Sequence, residues 1–246
     1  MSAHDQLIPL LKRMRLSGLL QTADLRIEQA VEDRLDHWEF LFRLFNDEAE
    51  RRDAGLLHRR IKHAAFEGEK TLETFDFAFN PQIPKATIID LATCRFMDRR
   101  ENVLLIGPSG VGKSHIAQAL GHRACRIGKK VLYTSANQML TQLRAARADA
   151  TLEKQLHRFT APDLLIIDDL GLRPLAYEEP LDLYEIIRRR YEKASTILTS
   201  NRDITEWYAL FGDSLLASAA MDRLLHHANT ITLTGDSYRN PKKKKK

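Results

Sequence analysis

The spacing of apolar residues along the chain changes near residue 70. In the first part, Leu7, Leu10, Leu11 and Met14 recur at helical spacing. β-branched runs are scarce there, and Pro9 is the last proline before the change. Residues 5–67 therefore read as helices. From 71 to 84 aromatic residues alternate with polar ones, as in Phe75-Asp76-Phe77-Ala78-Phe79-Asn80, and Pro81 and Pro84 close the run. That pattern predicts an extended junction. Beyond it, short apolar runs take turns with helical patterning. A helix to about Cys94, a strand at 102–106, a second helix and a strand at 130–134 come first. Helical pieces between 136 and 159, a strand at 164–168, a helix at 180–193 and a strand at 196–199 follow. A helix at 215–227 and a strand at 229–233 end the pattern, and no segment repeats another. Strands separated by helices predict an α/β fold, a mostly parallel sheet covered on both faces. The expected organisation is a small all-helical domain at 1–70, an α/β domain at 71–240 and a basic tail at 241–246.

Charge adds two features. Projected at about 100° per residue, the helix expected near 48–66 gathers Arg51, Arg52, Arg59, Arg60, Lys62 and His63 within half its circumference. Ala54, Leu57, Ile61, Ala64 and Ala65 take the opposite arc. A solvated surface and a contact for nucleic acid or another anionic partner both fit this face. The formal charge of +5 resides in Lys242 to Lys246; without them 33 basic side chains face 33 acidic ones. Such a tail is expected to be disordered, either adding salt-sensitive phosphate contacts or serving only as a solubilising end.

Composition is that of a soluble globular protein, 43% apolar and 29% charged. No apolar run approaches the ~20 residues that span a bilayer, and the first residues lack a secretory pattern. Cys94 and Cys125 have no metal-ligand spacing. A reduced, cytoplasmic location without membrane partners is the expectation.

The chemistry begins at Gly107-Pro108-Ser109-Gly110-Val111-Gly112-Lys113-Ser114, directly after the apolar run Val103 to Ile106. Glycines let successive backbone N–H groups turn inward around phosphate oxygens. Lys113 can then reach the β- and γ-phosphates of a nucleotide, Ser114 offers a hydroxyl to Mg²⁺, and the next helix points its positive end at the anion. With His115, these residues form the candidate ATP-binding set. Further on, Leu164 to Ile167 end in Asp168-Asp169. Two carboxylates at the end of a buried strand need a cation or hydrogen bonds. Asp168 is assigned to Mg²⁺, and Asp169 to orienting or deprotonating the attacking water. Asn201, at the end of the 196–199 strand, can touch the γ-phosphate or its water, or simply turn the chain. Arg223, late on a helix, fits an arginine acting on a neighbouring subunit's ATP and fits equally a surface arginine. Arg239 can reach the nucleotide within its own subunit or belong to the tail.

At this level of detail the chain resembles the IstB family of transposition helper ATPases. The resemblance rests on Phe75 to Pro81, Asp90 to Phe96, Glu101 to Gly107 and Asp168-Asp169-Leu170-Gly171. It continues through Thr199 to Arg202, Asp222 to His227 and Ser237-Tyr238-Arg239, and so covers nearly the whole chain. It implies an AAA+ P-loop core of the initiator clade, related to the DnaC/DnaI helicase loaders. It also implies an ATPase that binds duplex DNA with little sequence preference, forms helical or ring-like homo-oligomers and delivers bent target DNA to an IstA-type transposase. On the family pattern, Gly107 to Ser114 is the Walker A loop, Asp168-Asp169 the Walker B pair and Asn201 the sensor-1 residue. Arg223 matches the arginine finger acting in trans, and Arg239 the sensor-2 arginine. Asp169 stands where many AAA+ proteins carry Glu, and the shorter side chain predicts slow basal hydrolysis that a partner could stimulate. The clade's helical insertion would fall within 136–159, where Arg144, Arg147, Lys154 and Arg158 are candidate DNA-backbone contacts or plain surface charges. A helicase loader is the alternative, expected to prefer single-stranded DNA. A stand-alone P-loop kinase is a second alternative, and it would not self-assemble.

Overall fold

The computed structural model describes residues 3–239; the five-lysine tail lies outside them. The chain forms two compact units, residues 1–59 and 60–246.

The first unit contains helices α1 (Ala3–Arg13) and α2 (Ser17–Glu32), and α3 (His37–Ala64) begins within it. Leu11 and Leu19 are buried. Gly18 admits the α3 backbone, because a Cβ there would lie 2.8 Å from Glu48 Cα. The Gly18 N–H instead donates to Glu48 Oε2 at 2.5 Å. Arg26 grips Asp47 with two hydrogen bonds of 2.8 and 2.6 Å, a bidentate pair that fixes α2 along α3.

In the second unit the five predicted strands assemble: β1 (Asn102–Ile106), β2 (Val131–Ser135), β3 (Leu164–Leu170), β4 (Ser195–Ser200) and β5 (Ala228–Thr232). The order is β2-β3-β4-β1-β5 and every pairing is parallel. Continuous apolar runs make these strands, since a parallel sheet is buried on both faces. On one face Leu104, Ile106, Leu165, Ile167 and Leu198 meet α7 (Ala136–Ala148), α8 (Leu152–Thr160), α9 (Glu179–Arg190) and α11 (Ser214–Leu225). Against the other lies α6 (Lys113–Arg126), where Gly121 sits close to Ile166. Between β4 and α11 come the short helix α10 (Ile204–Trp207) and a 3-10 turn, with Trp207 fully buried.

Two predicted elements differ from expectation. Residues 71–84 are not extended but form successive turns. Asp76 accepts from the Ala78 and Phe79 amides at 2.9 and 3.2 Å, so Asx-type turn chemistry overrides the aromatic alternation. The helix expected to run to about Cys94 ends sooner, as α4 (Lys85–Leu91), and a further short helix, α5 (Arg95–Asp98), precedes β1. Cys94 separates the two at φ +61°, and Thr93 Oγ1 donates to the Asp90 carbonyl at 2.7 Å.

Candidate nucleotide-binding site

The phosphate loop runs from the end of β1 into α6, at the carboxyl ends of the strands where ligands of open α/β folds bind. Gly107 has φ +146°, and a Cβ there would meet the Leu233 carbonyl oxygen, so only glycine lets the loop leave β1 this way. Lys113 is buried. Its Nζ donates to the carbonyls of Gly107 and Pro108 at 2.7 and 2.8 Å and to Asn201 Oδ1 at 2.5 Å. Burial pushes the ammonium's pKa down against the opposing pull of Asp169 and Asp168. An incoming phosphate would supply the anionic partner that these neutral acceptors only imitate.

The Asp168-Asp169 pair owes its geometry to a β-bulge. Ile167 pairs with Leu198 and Leu170 with Ser200, so both carboxylates oppose Thr199 alone. In a regular strand adjacent side chains would point to opposite faces. Here Asp169 adopts φ +57° and lines the cavity, while Asp168 faces the loop. Asp168 Oδ1 accepts from Ser114 Oγ at 2.9 Å and from Thr199 Oγ1; its Oδ2 accepts from Tyr133 OH at 2.7 Å. Thr199 Oγ1 in turn accepts from the Asp169 amide at 2.9 Å. Burial and the adjacent Asp168 raise the Asp169 pKa above its ordinary value. Burial and the Asp168 carboxylate likewise push the Tyr133 phenol up, keeping it a proton donor.

Ser114 and Asp168 bring a hydroxyl and a carboxylate together, the hard oxygen donors that Mg²⁺ takes alongside phosphate oxygens. No cluster of three or more His, Cys, Asp or Glu side chains exists among the described residues. A metal here would therefore depend on the nucleotide for further ligands.

The cavity, about 430 Å³, extends from Ser109–His115 to Asp169, Asn201 and Arg239. Its remaining wall is the 71–84 segment, through Phe75, Phe79, Asn80 and Ile83. His115 anchors that segment, with Nε2 2.8 Å from the Thr71 carbonyl oxygen and 3.3 Å from Thr74 Oγ1. The Tyr238 amide donates to the Gly110 carbonyl at 2.9 Å, and its ring packs edge-on against Phe79 at 4.9 Å. That contact carries Arg239 to the cavity.

Arg223 is absent from the cavity lining. It lines a different one, with Arg99, Arg100 and His226. The structure thus gathers Gly110 to His115, Asp168, Asp169, Asn201 and Arg239 into one site and leaves Arg223 outside it.

The basic candidates divide. Arg51 and Arg52 both pair with Glu48, at 3.2 and 2.6 Å, so their charge is partly answered by a carboxylate one turn back. Arg147 pairs with buried Asp182 at 2.5 Å, tying α7 to α9. Arg158 donates to Gln142 at 3.1 Å. Arg59, Lys62, Arg144 and Lys154 are exposed and Arg60 is half-buried.

A family profile described as IstB-like ATP binding protein matches residues 9–246. The chain belongs to the IstB-like ATP-binding family. An IS21 putative ATP-binding protein of Pseudomonas aeruginosa is 40% identical over 96% of this chain and 89% of its own length. A putative insertion-sequence ATP-binding protein of Mycobacterium tuberculosis is 41% identical over 95% of this chain and 93% of its own. Among solved structures, DnaI superposes with a TM-score of 0.59 at 20% identity, covering 73% of this chain and 98% of that one. AMPPCP-bound DnaA from Aquifex aeolicus gives 0.58 at 21% identity, covering 70% and 52%. These likenesses establish the AAA+ fold of an IstB-like protein. No helix among the described residues is long and apolar enough to cross a membrane.

Sequence reasoning missed Tyr133, Thr199, Phe75, Phe79 and Tyr238. Tyr133 and Thr199 sit inside strands, where only the β2-β3-β4 order reveals that both face Asp168.

Proposed function

We propose that this IstB-like protein is an ATP-dependent regulator that binds duplex DNA without sequence preference, oligomerises on it and bends it. It then delivers the bent DNA to a partner transposase during insertion-sequence transposition. The observation that carries the reading is that Arg223 lines a cavity separate from the nucleotide cavity, where on this reading it is free to act on a second copy. Kinship with insertion-sequence ATP-binding proteins supports the setting.

In the mechanism, the inward-turned amides of the phosphate loop and Lys113 bind the phosphates, and Lys113 exchanges its carbonyl partners for anionic oxygens. Ser114 and Asp168 would hold Mg²⁺, which would neutralise phosphate charge when bound. Asn201 and Asp169 orient the water that attacks the γ-phosphate, with Asp169 as the proton acceptor. A carboxylate one methylene shorter than the usual Glu orients the water less well, so basal turnover is slow and leaves room for stimulation by a partner. Phe75, Phe79 and Ile83 line the same cavity and offer apolar surface to the base. Arg223 of a second copy and Arg239 of the same copy stabilise charge on the transferring phosphoryl group. The helical N-terminal unit and exposed residues such as Arg59, Lys62, Arg144 and Lys154 contact DNA phosphates or partners.

The test is binding to random-sequence duplex and single-stranded DNA with ATP, ADP or no nucleotide, with particle size followed by light scattering. Large assemblies on duplex only with ATP, lost in Lys113→Ala and Arg223→Ala, are expected. Absence of assembly on duplex with ATP overturns the proposal, and selectivity for single strands moves it to a helicase loader.

A further inference from the structure

Arg223 is held in a way that its charge alone does not require. Its Nη1 donates to the Ala219 carbonyl at 2.8 Å, within α11. Its guanidinium carbon lies 5.6 Å from the Tyr184 ring centroid and 6.0 Å from that of Tyr191. Tyr191 is itself tethered, with its hydroxyl 3.0 Å from His226 Nδ1 and the two rings 5.7 Å apart. Tyr184 belongs to α9 and Tyr191 follows it, while His226, which follows α11, reaches the arginine only through Tyr191. The arginine and Tyr191 line a cavity of about 310 Å³, open enough to admit a phosphate group.

Two aromatic faces and a carbonyl are an unusual choice of partners. A carboxylate would fix the side chain as well, but it would cancel the charge that a phosphate must meet. Aromatic quadrupoles restrict a planar guanidinium while leaving its charge and its remaining N–H donors available. We infer that Tyr184 and Tyr191, with His226 docking Tyr191, are positioning residues that hold Arg223 preformed, with no carboxylate hydrogen-bonded to it among the described residues, for the terminal phosphate of a nucleotide bound to a second copy. The inference rests on the proposed role of Arg223 across the subunit boundary. It adds that the arginine's readiness is built by the subunit that donates it, before the two copies meet.

The experiment measures kcat and KM for ATP in the full-length protein assembled on duplex DNA, with nucleotide affinity from a fluorescent ATP analogue. Tyr184→Leu and Tyr191→Leu are each expected to lower kcat about tenfold while KM and affinity stay put, because only transition-state contacts are lost. Tyr184→Phe keeps the ring and should restore turnover. Tyr191→Phe and His226→Ala lose only the tether and should fall between. In an Arg223→Ala background the tyrosine substitutions should add nothing further. If Tyr184→Leu fails to fold in a thermal melt, Tyr191→Leu and the exposed His226→Ala carry the test. Phe variants as poor as Leu variants, or further loss in the Arg223→Ala background, overturn the inference. A fall in kcat for Arg223→Ala with no change in the Leu variants sinks the inference alone. An Arg223→Ala protein with unaltered kcat sinks the reading beneath it as well.

Discussion

Asp168 accepts hydrogen bonds from three hydroxyls, those of Ser114, Thr199 and Tyr133. A buried carboxylate without a basic partner needs such donors, and each also restricts which lone pair faces the metal position. Tyr133 does this from β2 and touches no part of the phosphate loop's own hydrogen-bonding set, so removing its hydroxyl tests orientation of Asp168 by itself. Tyr133→Phe should raise the Mg²⁺ concentration for half-maximal ATPase activity by roughly tenfold, the usual cost of losing an outer-shell partner. ATP affinity in the absence of metal should hold, as measured by fluorescent-analogue titration in EDTA; a loss there would assign Tyr133 to folding instead. Lys113, Ser114 and Asp168 were legible in the sequence because their chemistry is local to two short motifs. Tyr133 and Thr199 were not, because a strand residue's facing partner depends on sheet order and on the bulge at Asp168-Asp169.

At the scale of elements, strands were the readable part, since each is a continuous apolar run bounded by polar residues. The 71–84 segment misled because Phe75, Phe77 and Phe79 alternate as in a strand, while Asp76, Asn80 and the prolines dictate turns. Its aromatic residues serve the cavity rather than a ladder. Helix α3 shows the opposite limit: its basic arc was visible, but its ties to Glu48 depend on the carboxylate's burial against Gly18. Burial opposes ionisation of Glu48, yet hydrogen bonds from Arg51, Arg52 and the Gly18 amide outweigh it and hold its pKa at about 2. Asp47, bound by Arg26, is likewise lowered to about 2. Both folded values lie below the ordinary ones, so their stabilisation is complete above about pH 4.5 and is lost as pH falls toward 2. Hydrogen exchange of the Gly18 amide, corrected for intrinsic rate, should lose protection across that interval. Glu48→Gln should show the loss already at neutral pH; unchanged protection in the variant would mean that the ion-pair network does not hold α2 against α3.

For the whole molecule, the proposal turns on two places on one chain: the cavity over the phosphate loop and the separate cavity that Arg223 lines. A surface that must meet a different surface on an identical chain gives a head-to-tail contact, and such contacts propagate into rings or helical filaments. If Arg223 acts on a second copy as proposed, activity is a property of interfaces, which mixing can expose. Arg223→Ala leaves a complete cavity but no arginine to offer, whereas Asp169→Asn offers the arginine but has lost the proton acceptor. Each variant alone should turn over little ATP on duplex DNA. In an equal mixture, about a quarter of the contacts pair an intact cavity with an intact Arg223, so activity should recover to roughly that fraction of the unsubstituted protein. Recovery should depend on total concentration, since it needs assembly. A mixture no more active than its parts, while light scattering still reports co-assembly, would place Arg223 outside the reaction and return each cavity to working alone.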